Sequence, residues 1–331
     1  MTDNQPHVAV TGAAGYIGSR VVSDLQNAHP EWEVTALDNF YQGQVSQIGD
    51  VHVEHVDIRN RARLAEALSG ADIVMHLAAI SGVKDCDENP DLAFEVNVQG
   101  TNNVAWFCKK TGAALVFPFS MAVLGDPQEF PVTVSHPRDP MNLYGETKLL
   151  NERLIETMAE DAFPAHLFLK SNLYGEHEID GTTVSKPTVI NIFVEKALAG
   201  EALTVHKPGT QARNFVHVKD VAKAYVLSAE KLLEELESEG TGVSKFELAG
   251  KEDPSVADVA SLVKQHATAI LGEEPPRRLL ENPRTETLVD RFDVDTSRTT
   301  AELDWQPHYS VEDAIRDGLS RNDGHEIRTS L

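Results

Sequence analysis

The chain has 331 residues, 41% of them hydrophobic, with 29 basic and 52 acidic side chains and a formal net charge of −23. That length supports a large core in one or two domains, and the acid excess disfavours nucleic acid and anionic membranes as partners. No run reaches the ~18 consecutive apolar residues of a membrane-spanning helix. The acids are scattered, as over 85–91 and 230–239, which fits a strongly solvated surface and a salt-loving source. Cys86 and Cys108 stand without CxxC spacing, so a reducing cytoplasm is expected and a bound metal is not. The first six residues are polar, with no basic or apolar leader character, and predict no signal peptide.

In chain order, residues 7–11 (HVAVT) form an apolar run that stops at a glycine-rich turn, predicting a buried parallel strand. From Tyr16 the periodicity turns helical, with Ile17, Val21, Val22 and Leu25 on one face, until His29 and Pro30 end it. Residues 33–37 read as a second strand, closed by Asp38, and 51–56 as a third. A helix over 61–68 carries Leu64 and Leu68 four apart and ends at Ser69-Gly70. Further strands are predicted at 72–77, 113–119 and 165–169, separated by long helices at 91–110 and 142–160. This alternation predicts an α/β fold, a Rossmann-type doubly wound parallel sheet. After Asn172 the regularity loosens: a polar loop over 175–187, a helix over 188–198, a strand and helix over 216–233, then short segments interrupted by proline. The expected division is a dinucleotide-binding domain over 1–172 plus about 214–240, a smaller substrate-binding lobe over 173–213 and 241–320, and a flexible tail over 321–331.

Gly12, Gly15 and Gly18 are spaced G-x-x-G-x-x-G between a strand and a helix. Gly12 suits the tight turn, Gly15 the approach of backbone N–H groups to a pyrophosphate, and Gly18 close helix–strand packing. The pyrophosphate is expected on the positive helix N-terminus. Asp38 lies 20 residues beyond Gly18. A carboxylate there accepts hydrogen bonds from both adenosine ribose hydroxyls and repels a 2′-phosphate, so NAD is expected over NADP. Asp57, after the third strand, is a candidate for the adenine edge; a solvent-facing loop aspartate is the alternative.

Tyr144 and Lys148 form Tyr-x-x-x-Lys, and positions i and i+4 share a helix face. An ammonium beside the phenol is expected to lower the phenol pKa from ~10 toward neutrality. Such a tyrosine can take a proton from a sugar hydroxyl. Ser120 ends the fifth strand at the sheet's carboxyl edge, where its hydroxyl can bridge Tyr144 and a substrate oxygen; a serine there equally suits a turn.

With His76-Leu-Ala-Ala79 and Asn97-Val-x-Gly-Thr101, these residues resemble the extended short-chain dehydrogenase/reductase superfamily. Asn172-Leu-Tyr-Gly175, Arg213-Asn-Phe-Val-His-Val218-Lys-Asp220 and Leu303-x-Trp-x-Pro307 resemble its NAD-dependent epimerase/dehydratase branch, to which UDP-glucose 4-epimerase belongs. The resemblance runs from about residue 7 to about residue 320. It implies Tyr144 as base, Lys148 as its activator and ribose ligand, and Ser120 as hydrogen-bonding partner. It implies NAD contacts at Gly12, Gly15, Tyr16, Ile17, Gly18, Asp38, Asp57, Ile58, Leu77, Ala78 and Ala79. The substrate side falls to Ser81, Ser120, Asn172, Arg213 and Arg284, with Asn172 and Arg213 facing a nucleotide diphosphate, whose oxygens suit a guanidinium fork. The helices at 91–110 and 142–160 resemble the pair that forms a four-helix homodimer interface.

This chain also departs from the family pattern. Leu124-Gly125 stands for the usual Tyr-Gly, Lys207-Pro208-Gly209 for Gly-Asp-Gly, and Lys170 for an arginine. Met121 and Ala122 occupy the positions of the Asp-Glu pair that sugar 4,6-dehydratases use, and neither can transfer a proton, which argues against dehydration. Three functions follow. The first is a nucleotide-sugar 4-epimerase working through a transient 4-keto sugar, with a UDP-sugar as substrate. The second is an NAD-dependent sugar dehydrogenase or reductase with net hydride transfer. The third, a catalytically silent NAD-binding protein, is opposed by the intact Ser120, Tyr144 and Lys148.

Overall fold

In a computed structural model of the protein, which describes residues 5–282 and 289–321, strands and helices alternate from the N-terminus. The first half runs β1 (His7–Thr11), α1 (Gly18–Ala28), β2 (Glu33–Asp38), β3 (Gln47–Ile48), β4 (Val51–His55), α2 (Arg61–Ala67) and β5 (Ile73–His76). It continues through α3 (Val83–Glu88), α4 (Pro90–Phe94), α5 (Thr101–Thr111), β6 (Ala114–Ser120), α6 (Leu143–Ala159) and β7 (Pro164–Lys170). The second half holds β8 (Asn172–Tyr174), β9 (His177–Ile179), β10 (Thr182–Val184), α7 (Val189–Leu198), β11 (Leu203–His206), β12 (Phe215–His217) and α8 (Val218–Glu237). It closes with β13 (Gly242–Leu248), α9 (Val256–Leu271), β14 (Arg277–Leu280), α10 (Ser297–Leu303) and α11 (Val311–Ser320).

The eight-stranded sheet has the order β13-β7-β6-β5-β1-β2-β4-β3. It is parallel throughout except for the β3–β4 pair. Every residue of β1 is buried, because helices cover both faces of a doubly wound sheet and its central strands read as continuous apolar runs. One face packs on α1 and α8 through Val21, Val22, Leu25, Val221 and Leu232. The other packs on α2, α5 and α6 through Leu64, Val104, Phe107 and Ile155. The strand order reverses between β1 and β5, and α/β sheets bind ligands at that crevice, beyond the carboxyl ends of the strands. A third core, with Phe193, Val205, Val259 and Ile315, holds α7, β11, α9 and α11 together as the smaller lobe.

Four expectations change. The helical run expected over 91–110 begins at Pro90 and is interrupted by a π-helical turn at Glu95–Gly100 before α5; such turns recur at functional sites. The polar loop expected over 175–187 contains the antiparallel hairpin β9–β10. Residues 242–248, expected in the lobe, form the edge strand of the main sheet, in register with β7 from Gly242↔Pro164 to Leu248↔Lys170. The first half of that strand is only half-buried, so its sequence lacks the apolar run of the inner strands. Leu303 and Trp305, also expected in the lobe, join the α1/α8 core. The tail expected beyond residue 321 lies outside the described residues.

Candidate active site

The chain leaves β1 at Thr11 and turns at Gly12, whose φ is +72°. A Cβ on Gly12 would stand 2.6 Å from the Ala78 amide nitrogen, so only glycine fits the turn. A Cβ on Gly18 would overlap the Gly12 carbonyl oxygen, which lets α1 start directly above the turn. Gly12, Gly15, Tyr16, Ile17 and Gly18 line a cleft of about 1370 Å³. Its wall therefore includes the N-terminus of α1, where helix dipole and backbone N–H groups favour an anion. The Tyr16 hydroxyl donates to the Gly175 carbonyl at 2.6 Å, tying this turn to the segment after β8.

Asp38, at the end of β2, lines the same cleft. Its two carboxylate oxygens accept from Ala14 N at 3.0 Å and Phe40 N at 2.7 Å. Each oxygen keeps a second lone pair, enough for a pair of ribose hydroxyls. Burial raises the Asp38 pKa and these backbone donors oppose it. The turn, the helix N-terminus and Asp38 thus fit a dinucleotide. Ile58, Leu77, Ala78 and Ala79 also line the cleft.

Asp57 does not join them. It lies outside the cleft lining, and its carboxylate accepts from Arg59 Nε at 3.1 Å and Nη2 at 2.7 Å. That ion pair holds its pKa below the usual carboxylate range. Its partner Arg59 lines the cleft, so the ion pair stands at the cleft's rim. Arg284 lies outside the described residues.

The proton-transfer candidates converge. Ser120 ends β6, Asn142 caps α6 by accepting from Gly145 N at 2.9 Å, and Tyr144 and Lys148 sit in the first turns of that helix. Ser120, Tyr144 and Lys148 all line the cleft. Lys148 is 4% exposed; its Nζ donates to the Pro118 carbonyl at 3.1 Å and stands 6.0 Å from the Tyr144 ring centroid. Burial pushes the Tyr144 phenol up to about 12, outweighing a hydrogen bond with Ser120 that pulls it down. This corrects the expectation of a phenol near neutrality: in this pocket desolvation disfavours the phenolate more than its neighbours stabilise it. Burial likewise pushes Lys148 down to about 8.

The segments behind the cleft that match the family pattern are structural struts. His76 bridges Thr11 Oγ1 at 2.8 Å and Thr101 Oγ1 at 2.9 Å, and burial pushes its pKa down to about 3, so it stays neutral. Asn97, in the π-helical turn, accepts from Ile80 N at 2.9 Å and donates to Ile80 O at 3.0 Å. These bonds fix the loop that carries Ser81 into the cleft.

On the substrate side Ser81, Asn172 and Arg213 line the cleft. Asn172 opens β8 and Arg213 lies just before β12, its parallel partner. Asn172 Nδ2 donates to Asn214 O at 3.1 Å, and Arg213 Nη1 to Ala212 O at 2.8 Å. One residue is new. Lys186 lines the cleft and its Nζ donates to both the carbonyl, at 3.1 Å, and the hydroxyl of Ser81. It belongs to no motif and lies in a polar loop, so nothing in the sequence singles it out. Met121 and Ala122 line the cleft next to Ser120 and offer no proton-transfer group.

Fold and site together define a dinucleotide-dependent enzyme whose cleft brings Ser120, Tyr144 and Lys148 together. The model of the NAD dependent epimerase/dehydratase family matches residues 8–239, and the chain belongs to that family. A Methanocaldococcus jannaschii protein, named provisionally as a UDP-glucose 4-epimerase, is 31% identical over 315 residues, spanning 93% of this chain and 96% of its own. The NAD complex of Thermus thermophilus UDP-glucose 4-epimerase superposes with a TM-score of 0.80 at 26% identity, covering 96% of this chain and 99% of that one. The Stenotrophomonas maltophila UDP-glucose 4-epimerase, with bound NAD and formylated UDP-arabinopyranose, gives 0.81 at 26% identity over 95% of this chain and 97% of its own.

Proposed function

We propose that the protein is an NAD-dependent nucleotide-sugar 4-epimerase that acts on a UDP-sugar through a transient 4-keto intermediate. The observation that carries this reading is the meeting of Ser120, Tyr144 and Lys148 in one cleft with the glycine turn and Asp38. The activity named for the Methanocaldococcus relative supports it, as do the NAD and UDP-sugar ligands of the two solved epimerases.

The glycine turn and α1 N-terminus would hold the pyrophosphate of NAD, Asp38 its adenosine ribose, and Lys148 its nicotinamide ribose. When bound, NAD supplies the acceptor and donor of the hydride at C4. Tyr144 takes the C4 hydroxyl proton and later returns it, acting as base and then acid. Ser120 holds the same oxygen, and its hydrogen bond steadies the phenolate that forms. Lys148, held by Pro118 O, supplies positive charge beside the phenol. Asn172 and Arg213 bind the diphosphate, leaving the sugar free to present either face to the fixed proton and hydride groups. Every proton and hydride removed is returned, so no net redox occurs.

A homodimer through the 91–110 and 142–160 helices is part of the proposal; Phe94 and Leu150, 52% and 46% exposed, supply apolar surface there. Among the described residues no helix is long and apolar enough to cross a membrane, and the two isolated thiols suit a cytoplasmic enzyme. The charge of −23 suits work at high salt. The epimerase reading is tested with UDP-glucose deuterated at C4. Conversion to UDP-galactose with the label retained at C4 is expected; loss of the label to solvent, or accumulation of a ketosugar, contradicts it.

A further inference from the structure

Three lysines from separate elements line the cleft: Lys148 of α6, Lys170 at the end of β7, and Lys186 in the loop before α7. Lys170 is in register with Ser120 on the neighbouring strand. Lys186 is anchored to Ser81, which follows β5 on the other side of β6. The two extra ammonium groups therefore flank the strand that carries Ser120.

Neither is ion-paired among the described residues. The Lys170 side chain makes no hydrogen bond or ion pair there, and Lys186, bonded to Ser81, has Asp85 as the carboxylate whose charge reaches it without an ion pair between them. Burial first, and then the charges of Lys186 and Lys148, push Lys170 down to about 7. In a chain with 52 acidic residues, gathering three buried lysines with no ion-paired acid among the described residues is unfavourable, and a bound anion would complete the site. The diphosphate meets Asn172 and Arg213 in the reading above. A neutral hexose brings only hydroxyls to the Ser120–Tyr144 region.

We propose that the sugar this site turns over is a hexuronic acid, whose carboxylate is recognised by Lys170 and Lys186. This rests on the nucleotide-sugar epimerase reading and names its substrate class. The carboxylate carbon hangs on C5, next to the reacting C4, so a sugar with C4 at Tyr144 carries its anion beside Ser120. With a cation on either side of β6, a ketosugar that turns over between the two hydride transfers meets an ammonium group in both poses. The epimerisation remains balanced: one proton and one hydride leave C4 and its hydroxyl, and both return.

The test compares kcat/KM of the purified holoenzyme for UDP-glucuronate and UDP-glucose, with products identified by NMR. The expected result is a preference for UDP-glucuronate of about 10²-fold, the scale of one or two charge-assisted hydrogen bonds. Lys170→Met and Lys186→Met should each cut that preference about tenfold or more, mainly through KM for the uronate. Lys170→Arg, which keeps the charge, should preserve most of it, and a thermal melt of each variant identifies any that fail to fold. Equal turnover of both substrates, with the epimerase reading intact, overturns the proposal. So does an equal loss on both substrates in the methionine variants, which would give the lysines to the diphosphate. A uronate preference accompanied by CO₂ release rather than epimerisation would uphold this proposal and overturn the epimerase reading instead.

Discussion

Replacing Tyr144 with phenylalanine removes one oxygen and leaves the ring. Lys148 contacts the carbonyl of Pro118 and the ring face, not the phenolic oxygen, so its position should hold. The structural loss is the hydroxyl and its bond with Ser120, worth about 1 kcal/mol and a few °C in Tm. The catalytic loss is far larger, because phenylalanine offers no group at that position to take the proton, and neither do Met121 and Ala122 on the adjoining wall. Removing general acid–base catalysis costs about 10²–10⁴-fold, or roughly 3–5 kcal/mol of barrier. The assay is steady-state epimerisation beside a thermal melt and the NAD content of the denatured protein. Turnover down by 10² or more, with cofactor content and melting nearly unchanged, is expected. Turnover within about threefold of the parent would refute the assignment of Tyr144.

Gly12→Ala forces a left-handed backbone on a side chain, at about 1–2 kcal/mol, and drives its Cβ into the Leu77–Ala78 backbone. The protein should purify without NAD and melt several °C lower; full cofactor content would contradict the geometry. Asp38→Ala removes the ribose acceptor and leaves the Ala14 and Phe40 amides without their carboxylate. NAD affinity should fall about 10–10³-fold and the preference over NADP disappear, as read by cofactor titration of stripped protein. His76 is held down to about 3 against ~6.5 unfolded, so the unfolded chain binds the extra proton between those values and stability falls as pH drops through that window. Tm measured from pH 7 to 4 should decline less steeply in His76→Gln than in the parent; an identical slope would show that His76 does not contribute. The charge of −23 predicts a higher Tm at about 2 M than at about 0.1 M KCl through screening; an unchanged or lower Tm would remove the high-salt reading.

The sheet, the turn and the Ser–Tyr–Lys group are legible in the sequence because each writes a local pattern. Buried parallel strands such as β1 and β6 are continuous apolar runs, the turn needs glycine at fixed offsets, and Tyr144 and Lys148 are one helical turn apart. β13 escapes such a reading because an edge strand buries one end only, so Gly242 to Lys245 read as polar. The β9–β10 hairpin escapes it because three-residue strands carry too little periodicity. The ion pair of Asp57 with Arg59 depends on side-chain packing that no spacing in the sequence expresses. The depressed phenol pKa fails for a reason the i, i+4 spacing cannot express: burial acts on Tyr144 and Lys148 together and raises the one while lowering the other. Lys170 and Lys186 are distant in sequence from Ser81, and only the fold brings all three into one cleft.

The most direct measurement is made on purified protein with no added cofactor. It is denatured to release and quantify NAD, and a parallel sample is incubated with UDP-sugars and free aldoses, with and without external NAD⁺. About one NAD per chain and interconversion of C4-epimeric UDP-sugars without external cofactor is the result expected of an epimerase. An empty protein that steadily forms NADH from a free sugar would contradict that function, identifying a dehydrogenase built on the same Ser120, Tyr144 and Lys148.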